Sequence, residues 1–240
     1  MIEQDNKIKS QEKFGYMLES KDKIYVDNPH NMEALEIMKK STSARICIGR
    51  CGTRLKTSAL LNFLADHAAA RDAVLKEVSA EFLVKNHLFQ VQTLVEDKDE
   101  YLKMPHKGRK LDKSSKEKIL KNCKKGNQVQ IIVADGLSST AIEENAEDTL
   151  MSLLQGLKIE GISTGKPFFV KYGRVGVEDD IAILLDCDVI VELVGERPGL
   201  NTAEGMSAYM IYRPTEKTVE ADRTVISNIH RRGTPPPEAG

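Results

Sequence analysis

An α/β fold is predicted, a Rossmann-like and mainly parallel sheet covered by helices, preceded by a mostly helical N-terminal region. Three observations carry the prediction. Val129-Gln-Ile-Ile-Val-Ala134 is a short apolar run of the kind buried on both faces of a parallel sheet. After it, apolar runs alternate with segments of helical spacing, the pattern of strands joined by crossover helices. Ahead of it, the periodic segments are chiefly helical, and 240 residues suffice for one large domain or two small ones. The expected division is a polar leader over 1–25, a mostly helical region over 26–126 and the Rossmann-like domain over 127–240.

The leader is lysine-rich, with Phe14, Met17 and Leu18 as its apolar patch. It reads as a frayed end or a short docking helix. Asp27-Asn-Pro-His30 is a turn signal that opens a helix over about Met32 to Lys40. Ala44-Arg-Ile-Cys-Ile48 reads as a short strand or buried extended run entering the loop Gly49-Arg-Cys-Gly-Thr-Arg54. From about Thr57 to Val78, the spacing of Leu60, Phe63, Leu64, Ala68 and Leu75 predicts a helix with one buried face, with His67 near it. Phe89 to Val95 alternates as a strand does. The charged stretch 97–126 reads as solvated helix and loop, because acidic residues interrupt its lysines and aromatic side chains are not interleaved.

Beyond the run at 129–134, Asp135-Gly-Leu-Ser138 is a strand-to-helix turn, and Thr140 with Glu143 fits a capping box. Ile142, Ala146, Leu150, Leu153, Leu154 and Leu157 mark the helix face, closed by Gly161. A strand at 167–171, a helix at about 177–185, and strands at 188–194 and near 207–212 complete the pattern.

Charge excludes some functions. With 35 basic and 36 acidic residues, the chain offers no net field for nucleic acid or an anionic membrane. No apolar run reaches membrane-spanning length and the start lacks signal-peptide character, so a soluble intracellular protein is expected. Cys47, Cys51, Cys123 and Cys187 lack the spacing of a zinc site and are expected to be free thiols.

The sequence contains no P-loop, dinucleotide fingerprint, nucleophile elbow or His-Glu-x-x-His pair. What remains are loops at strand ends, where open α/β sheets bind ligands. Asp135-Gly-Leu-Ser138 is the first, a helix cap or a ligand turn. In the second, Tyr172-Gly-Arg-Val-Gly-Val-Glu178, the glycines permit close approach to a flat ligand and Arg174 suits an amide or phosphate oxygen. In the third, Val194-Gly-Glu-Arg-Pro-Gly-Leu200, Glu196 is either paired with Arg197 or an acceptor for ligand amides. A fourth cluster joins Asp222-Arg223 to Ser227-Asn-Ile-His230, where Asp222 and His230 form an acid–base pair or, more simply, a hydrogen-bonded loop.

Taken in order, these runs resemble the light (small) chain of ethanolamine ammonia-lyase. The resemblance spans roughly Asn28 to Ala239. Further segments that carry it are Thr42-Ser-Ala-Arg-Ile-Cys, Leu64-Ala-Asp-His, Val74-Leu-Lys-Glu-Val, Pro167-Phe-Phe-Val-Lys-Tyr-Gly-Arg-Val, Val219-Glu-Ala-Asp-Arg-Thr and Gly233-Thr-Pro-Pro. It implies an adenosylcobalamin-dependent carbon–nitrogen lyase of two chains that converts ethanolamine to acetaldehyde and ammonia by radical chemistry. The large chain would hold substrate and the residues acting on it, so no catalytic side chain is expected here. The light chain would help close the cobalamin pocket through Val175, Glu196 and Val225.

Asp-x-His-x-x-Gly is absent, so the cofactor is expected base-on, with its dimethylbenzimidazole still on cobalt. Two departures stand out. Val225 occupies a position where family members can carry cysteine, which favours a backbone contact. The resemblance also implies a further helical segment after Gly233-Thr-Pro-Pro, whereas this sequence ends at Gly240. The implied location is the bacterial cytoplasm, within an ethanolamine-utilisation microcompartment. Two other readings remain open. One is a non-catalytic assembly or targeting subunit docked by its leader, and the other is a stand-alone Rossmann-like enzyme using Asp135, Glu196 and His230.

Overall fold

The computed structural model describes residues 23–42, 44–200 and 202–240, so the expected docking helix of the leader lies outside the described residues. By internal contacts the chain divides into Met1–Ala69 and Ala70–Gly240.

In the first unit, helix α1 (Met32–Lys40) falls where the turn signal places it. Asn31 caps it by accepting the Ala34 N–H at 2.9 Å. Its charges follow the helix dipole, with Glu33 in the first turn and Lys39 and Lys40 in the last. Ala44–Ile48 is not a strand. Cys47 and Gly49 adopt left-handed φ of 58° and 70°, which an extended strand excludes. Instead β1 (Arg50–Cys51) and β2 (Arg54–Leu55) form a small antiparallel hairpin.

Helix α2 (Thr57–Leu75) carries the chain past residue 69. Its apolar residues do not form the expected buried face. Ala59 and Ala73 are buried, but Leu60, Leu61, Leu64 and Leu75 are 42–56 % exposed, and His67 is exposed as well. Apolar residues surround this helix rather than marking one stripe, so spacing alone could not tell its covered side.

The second unit contains the six-stranded sheet, in the order β3-β5-β4-β6-β7-β8. Its strands are β3 (Phe89–Gln92), β4 (Val129–Ala134), β5 (Phe168–Lys171), β6 (Val189–Gly195), β7 (Met206–Tyr212) and β8 (Thr224–Ile229). The first four in that order are parallel, while β7 and β8 add an antiparallel edge. The α/β class and the mainly parallel sheet are as predicted. Short helices α3 (Ala80–Lys85), α4 (Lys98–Lys103) and α5 (Lys113–Asn122) precede β4 in the chain. Because β3 pairs with β5 in register Phe89↔Phe168, the sheet takes a strand from before residue 127.

Helices α6 (Ser139–Ile159) and α7 (Val177–Leu185) cover opposite faces. Ile131, Val133, Phe169 and Leu193 pack with Ala141, Ile142, Ala146 and Leu150 of α6. The alternate residues Ile132, Ala134, Phe168 and Val170 pack with Val177, Ile181 and Leu185 of α7. The period-two alternation of side chains across a pleated sheet produces this division. All of β4 is buried, which is why its sequence reads as a continuous apolar run.

The α6 cap lies two residues before the expected capping box. Ser138 Oγ accepts the Ala141 N–H, and Thr140 falls inside the helix. The terminal turn α8 (Pro236–Ala239) also packs on the α6 side, through Ala239. The four cysteines are unpaired, as expected. Among the described residues no helix is long and apolar enough to cross a membrane.

Candidate functional site

The sheet runs β5, β4, β6 in space but β4, β5, β6 in sequence. The chain leaves β4 toward one side, returns past it to β6, and so makes a switch point at the carboxyl ends. The loops after β4, β5 and β6 gather there, and their backbones are in close contact. Leu137 N–H donates to Gly195 O at 2.9 Å. A Cβ on Gly195 would lie 2.1 Å from Ser138 O and 2.6 Å from Asp135 O. Gly136, with φ of 57°, is as tightly placed, its ideal Cβ position 2.2 Å from Gly195 O.

The loop after β5 is held from both sides. Tyr172 is buried with φ of 58°, an unusual conformation for a bulky residue. Its carbonyl accepts from Thr93 Oγ1 at 3.0 Å and its hydroxyl donates to Glu77 at 2.8 Å. Asp135, 2 % exposed, accepts the Gly173 N–H at 3.2 Å, while Tyr101 Oη donates to Gly173 O at 2.9 Å. Burial pushes the Asp135 carboxyl up to about 6, against the opposing pull of Lys98 and of backbone N–H groups at Tyr172, Gly173 and Gly136. Burial likewise lowers the Lys98 ammonium, which stands over the rings of Tyr101 and Tyr172 at 4.9 and 5.9 Å.

Arg174, expected to suit an amide or phosphate oxygen, has a partner within the chain. Its guanidinium stacks 4.1 Å from the Tyr101 ring centroid and donates to Tyr101 O at 2.8 Å. Only the fold reveals this partner, which lies far back in the chain. Val175, next in sequence, is partly buried against the α7-side core.

Glu196 follows β6 and is half-buried. It pairs with Tyr209 of β7, whose hydroxyl donates to Glu196 Oε1 at 3.1 Å, rather than with Arg197. Burial and this carboxylate raise the Tyr209 phenol to about 12, so it remains a donor at neutral pH.

Tyr209 lies directly opposite Glu192 on one side and Val225 on the other. Directly opposed residues project to the same face of a sheet. Glu192, Tyr209 and Val225 therefore share the α7 face, with Val225 45 % exposed at its open end. Ile226, paired with Ala208, points the opposite way. Thus the loop holding Val175, Glu196 with its tyrosine, and Val225 border one shelf on the α7 side.

Beneath this shelf is an ionic cluster that sequence reasoning missed. Arg223, its side chain 3 % exposed, contacts Glu178 at 2.5 Å through Nε, Asp179 at 2.6 Å through Nη2 and Glu220 at 3.2 Å through Nη1. Glu178 and Glu192 are fully buried, and no hydrogen-bond partner reaches Glu178 Oε2, Asp179 Oδ1 or either Glu192 oxygen. Burial and the nearby Glu178 carboxyl raise Glu192 well above the ordinary carboxylate range. Burial also raises the Glu178 carboxyl, to about 8, against the opposing pull of its contact with Arg223. A signal was present in the sequence, namely one glutamate inside the apolar run Val189–Val194.

The fourth polar cluster is a hydrogen-bonded turn. His230 Nε2 lies 2.8 Å from Asn228 Oδ1, and His230 Nδ1 accepts the Arg232 N–H at 3.2 Å. Asp222 instead accepts the Val219 N–H at 2.9 Å, so no Asp222–His230 acid–base pair forms. No group of three potential metal ligands occurs among the described residues.

Comparison with protein families matches residues 32–240 to the family described as ethanolamine ammonia-lyase light chain (EutC).

Proposed function

The chain belongs to the ethanolamine ammonia-lyase light-chain family and so to a two-chain carbon–nitrogen lyase, and we propose that it works by lining the adenosylcobalamin pocket beside the large chain. The reading is carried by one observation. Val175, Glu196 and Val225, about twenty to thirty residues apart in sequence, border the same shelf on the α7 side of the sheet.

The residues fit a flat macrocycle rimmed with amides. Tyr209 occupies Glu196 Oε1, and Glu196 Oε2 is proposed to accept an amide N–H of the corrin rim. Val175 and Val225 would offer apolar contact, with Val225 also using its backbone on an edge strand. Bound adenosylcobalamin, proposed base-on, would supply the radical that starts ethanolamine deamination. This chain's residues would orient the cofactor and exclude water around it, and the residues acting on ethanolamine would lie in the large chain.

On this reading the chain is inactive alone. The exposed Leu60, Leu61 and Leu64 of α2 suit burial against another chain. A bacterial cytoplasmic, microcompartment location is part of the proposal. The stand-alone enzyme is disfavoured by the internal bonding of His230 and by the position of Asp135 beneath its loop.

Equilibrium retention of adenosylcobalamin by the purified two-chain complex tests the pocket. Glu196→Ala is expected to weaken retention about tenfold, the cost of one charge-assisted hydrogen bond, while co-purification of the chains persists. Unchanged retention would remove Glu196 from the pocket.

A further inference from the structure

We infer that Arg223 is a positioning residue that holds the three cofactor-facing elements in mutual register, an inference that rests on the cobalamin reading above. Arg223 lies two residues before Val225. Its principal partner, Glu178, lies three residues after Val175, at the start of α7. A single guanidinium therefore joins the strand that carries one contact to the helix that follows another.

The third contact enters through the sheet. Glu192 is in the electrostatic field of Arg223 and Glu178, and it sits directly opposite Tyr209. Tyr209 in turn bonds Glu196 and stands opposite Val225. The cluster and this tyrosine thus reach all three positions from behind.

The geometry is that of a clamp. Nε meets Glu178, Nη2 meets Asp179, and Nη1 meets Glu220 and the Val219 carbonyl at 3.0 Å. A planar fork can satisfy these directions together, whereas a lysine ammonium provides one point of charge. The Glu178 and Asp179 side chains each keep a buried oxygen without a partner, so Arg223 is the cation on which their burial depends. A surface ion pair would tolerate Lys for Arg, but a buried fork between two elements would not.

The test uses the two-chain complex with adenosylcobalamin and measures cofactor affinity, the maximal rate at saturating cofactor, and thermal stability. Arg223→Lys keeps the charge and loses the fork. It is expected to weaken cofactor binding about tenfold while leaving the rate at saturating cofactor within about twofold. Asp179→Asn removes one prong at the cluster's edge and is expected to weaken binding about threefold, which decides the matter if the lysine variant does not fold. Leu150→Ala truncates the core on the opposite face; it lowers stability but should leave cofactor affinity unchanged.

Unchanged affinity in folded Arg223→Lys and Asp179→Asn would overturn the inference. So would a loss in Leu150→Ala equal to that in the arginine variant, which would reduce the effect to general destabilisation. Failure of the wild-type complex to bind adenosylcobalamin would overturn the cobalamin reading and the clamp with it.

Discussion

Gly195→Ala is expected to disrupt the switch point of the sheet. The added Cβ would stand 2.1 Å from Ser138 O and 2.6 Å from Asp135 O, both backbone atoms at the start of the β4–α6 connection. Neither carbonyl can move freely. Asp135 ends the fully buried β4 region, and Ser138 caps α6 while its hydroxyl donates to Ala203 O at 2.6 Å. Relief must come from shifting the end of β6, which carries Glu196. An overpacking cost of about 3 kcal/mol is expected, seen as a fall in Tm of roughly 6–12 °C for a chain of this size. Thermal denaturation followed by circular dichroism checks it, and a Tm within 2 °C or so of wild type would mean that the two loops are less tightly apposed.

Asp135→Ala is expected to have the second large effect. The carboxyl is 2 % exposed and supports the Tyr172–Gly173 turn that precedes Val175. Its removal strands buried N–H groups at a cost of about 2–4 kcal/mol, and it frees Tyr172 from one constraint on a left-handed conformation. Cofactor retention should fall together with stability.

The pH dependence identifies the group. The folded carboxyl is raised to about 6 from an ordinary value of 3.8. Its contribution is therefore fully present below pH 3.8 and is lost as pH rises through about 6. The wild-type curve should carry this decline, and the alanine variant should lack it. An identical slope between pH 4 and 6, roughly the span of the two states, would place the titration elsewhere.

Much of the fold was legible because burial and local turn chemistry agree. The run at 129–134 is buried on both faces, and the helix expected at 177–185 has those bounds. The region of β8 was legible only as a motif. Five of its six residues are exposed, so it lacks the alternation of a half-buried strand. On α2, apolar side chains all round the helix concealed which of them face outward. Val175, Glu196 and Val225 entered through a family resemblance, and the fold supplies the face they share.

The supporting residues were less legible. Arg174 stood beside glycines as a cation suited to a ligand oxygen, and its stacking partner Tyr101, 73 positions away in sequence, was not legible there. Glu178, Glu192 and Arg223 are separated in sequence and meet only once α7, β6 and the approach to β8 are assembled. A charged residue within an apolar strand was the available clue at Glu192, but its partners could be named only from tertiary structure.

The most direct measurement is ammonia release from ethanolamine by this chain mixed with the matching large chain and adenosylcobalamin, with each component omitted in turn. Release that requires both chains and the cofactor is the predicted result. Activity from this chain without the large chain, or full activity from the large chain and cofactor without it, would contradict the account.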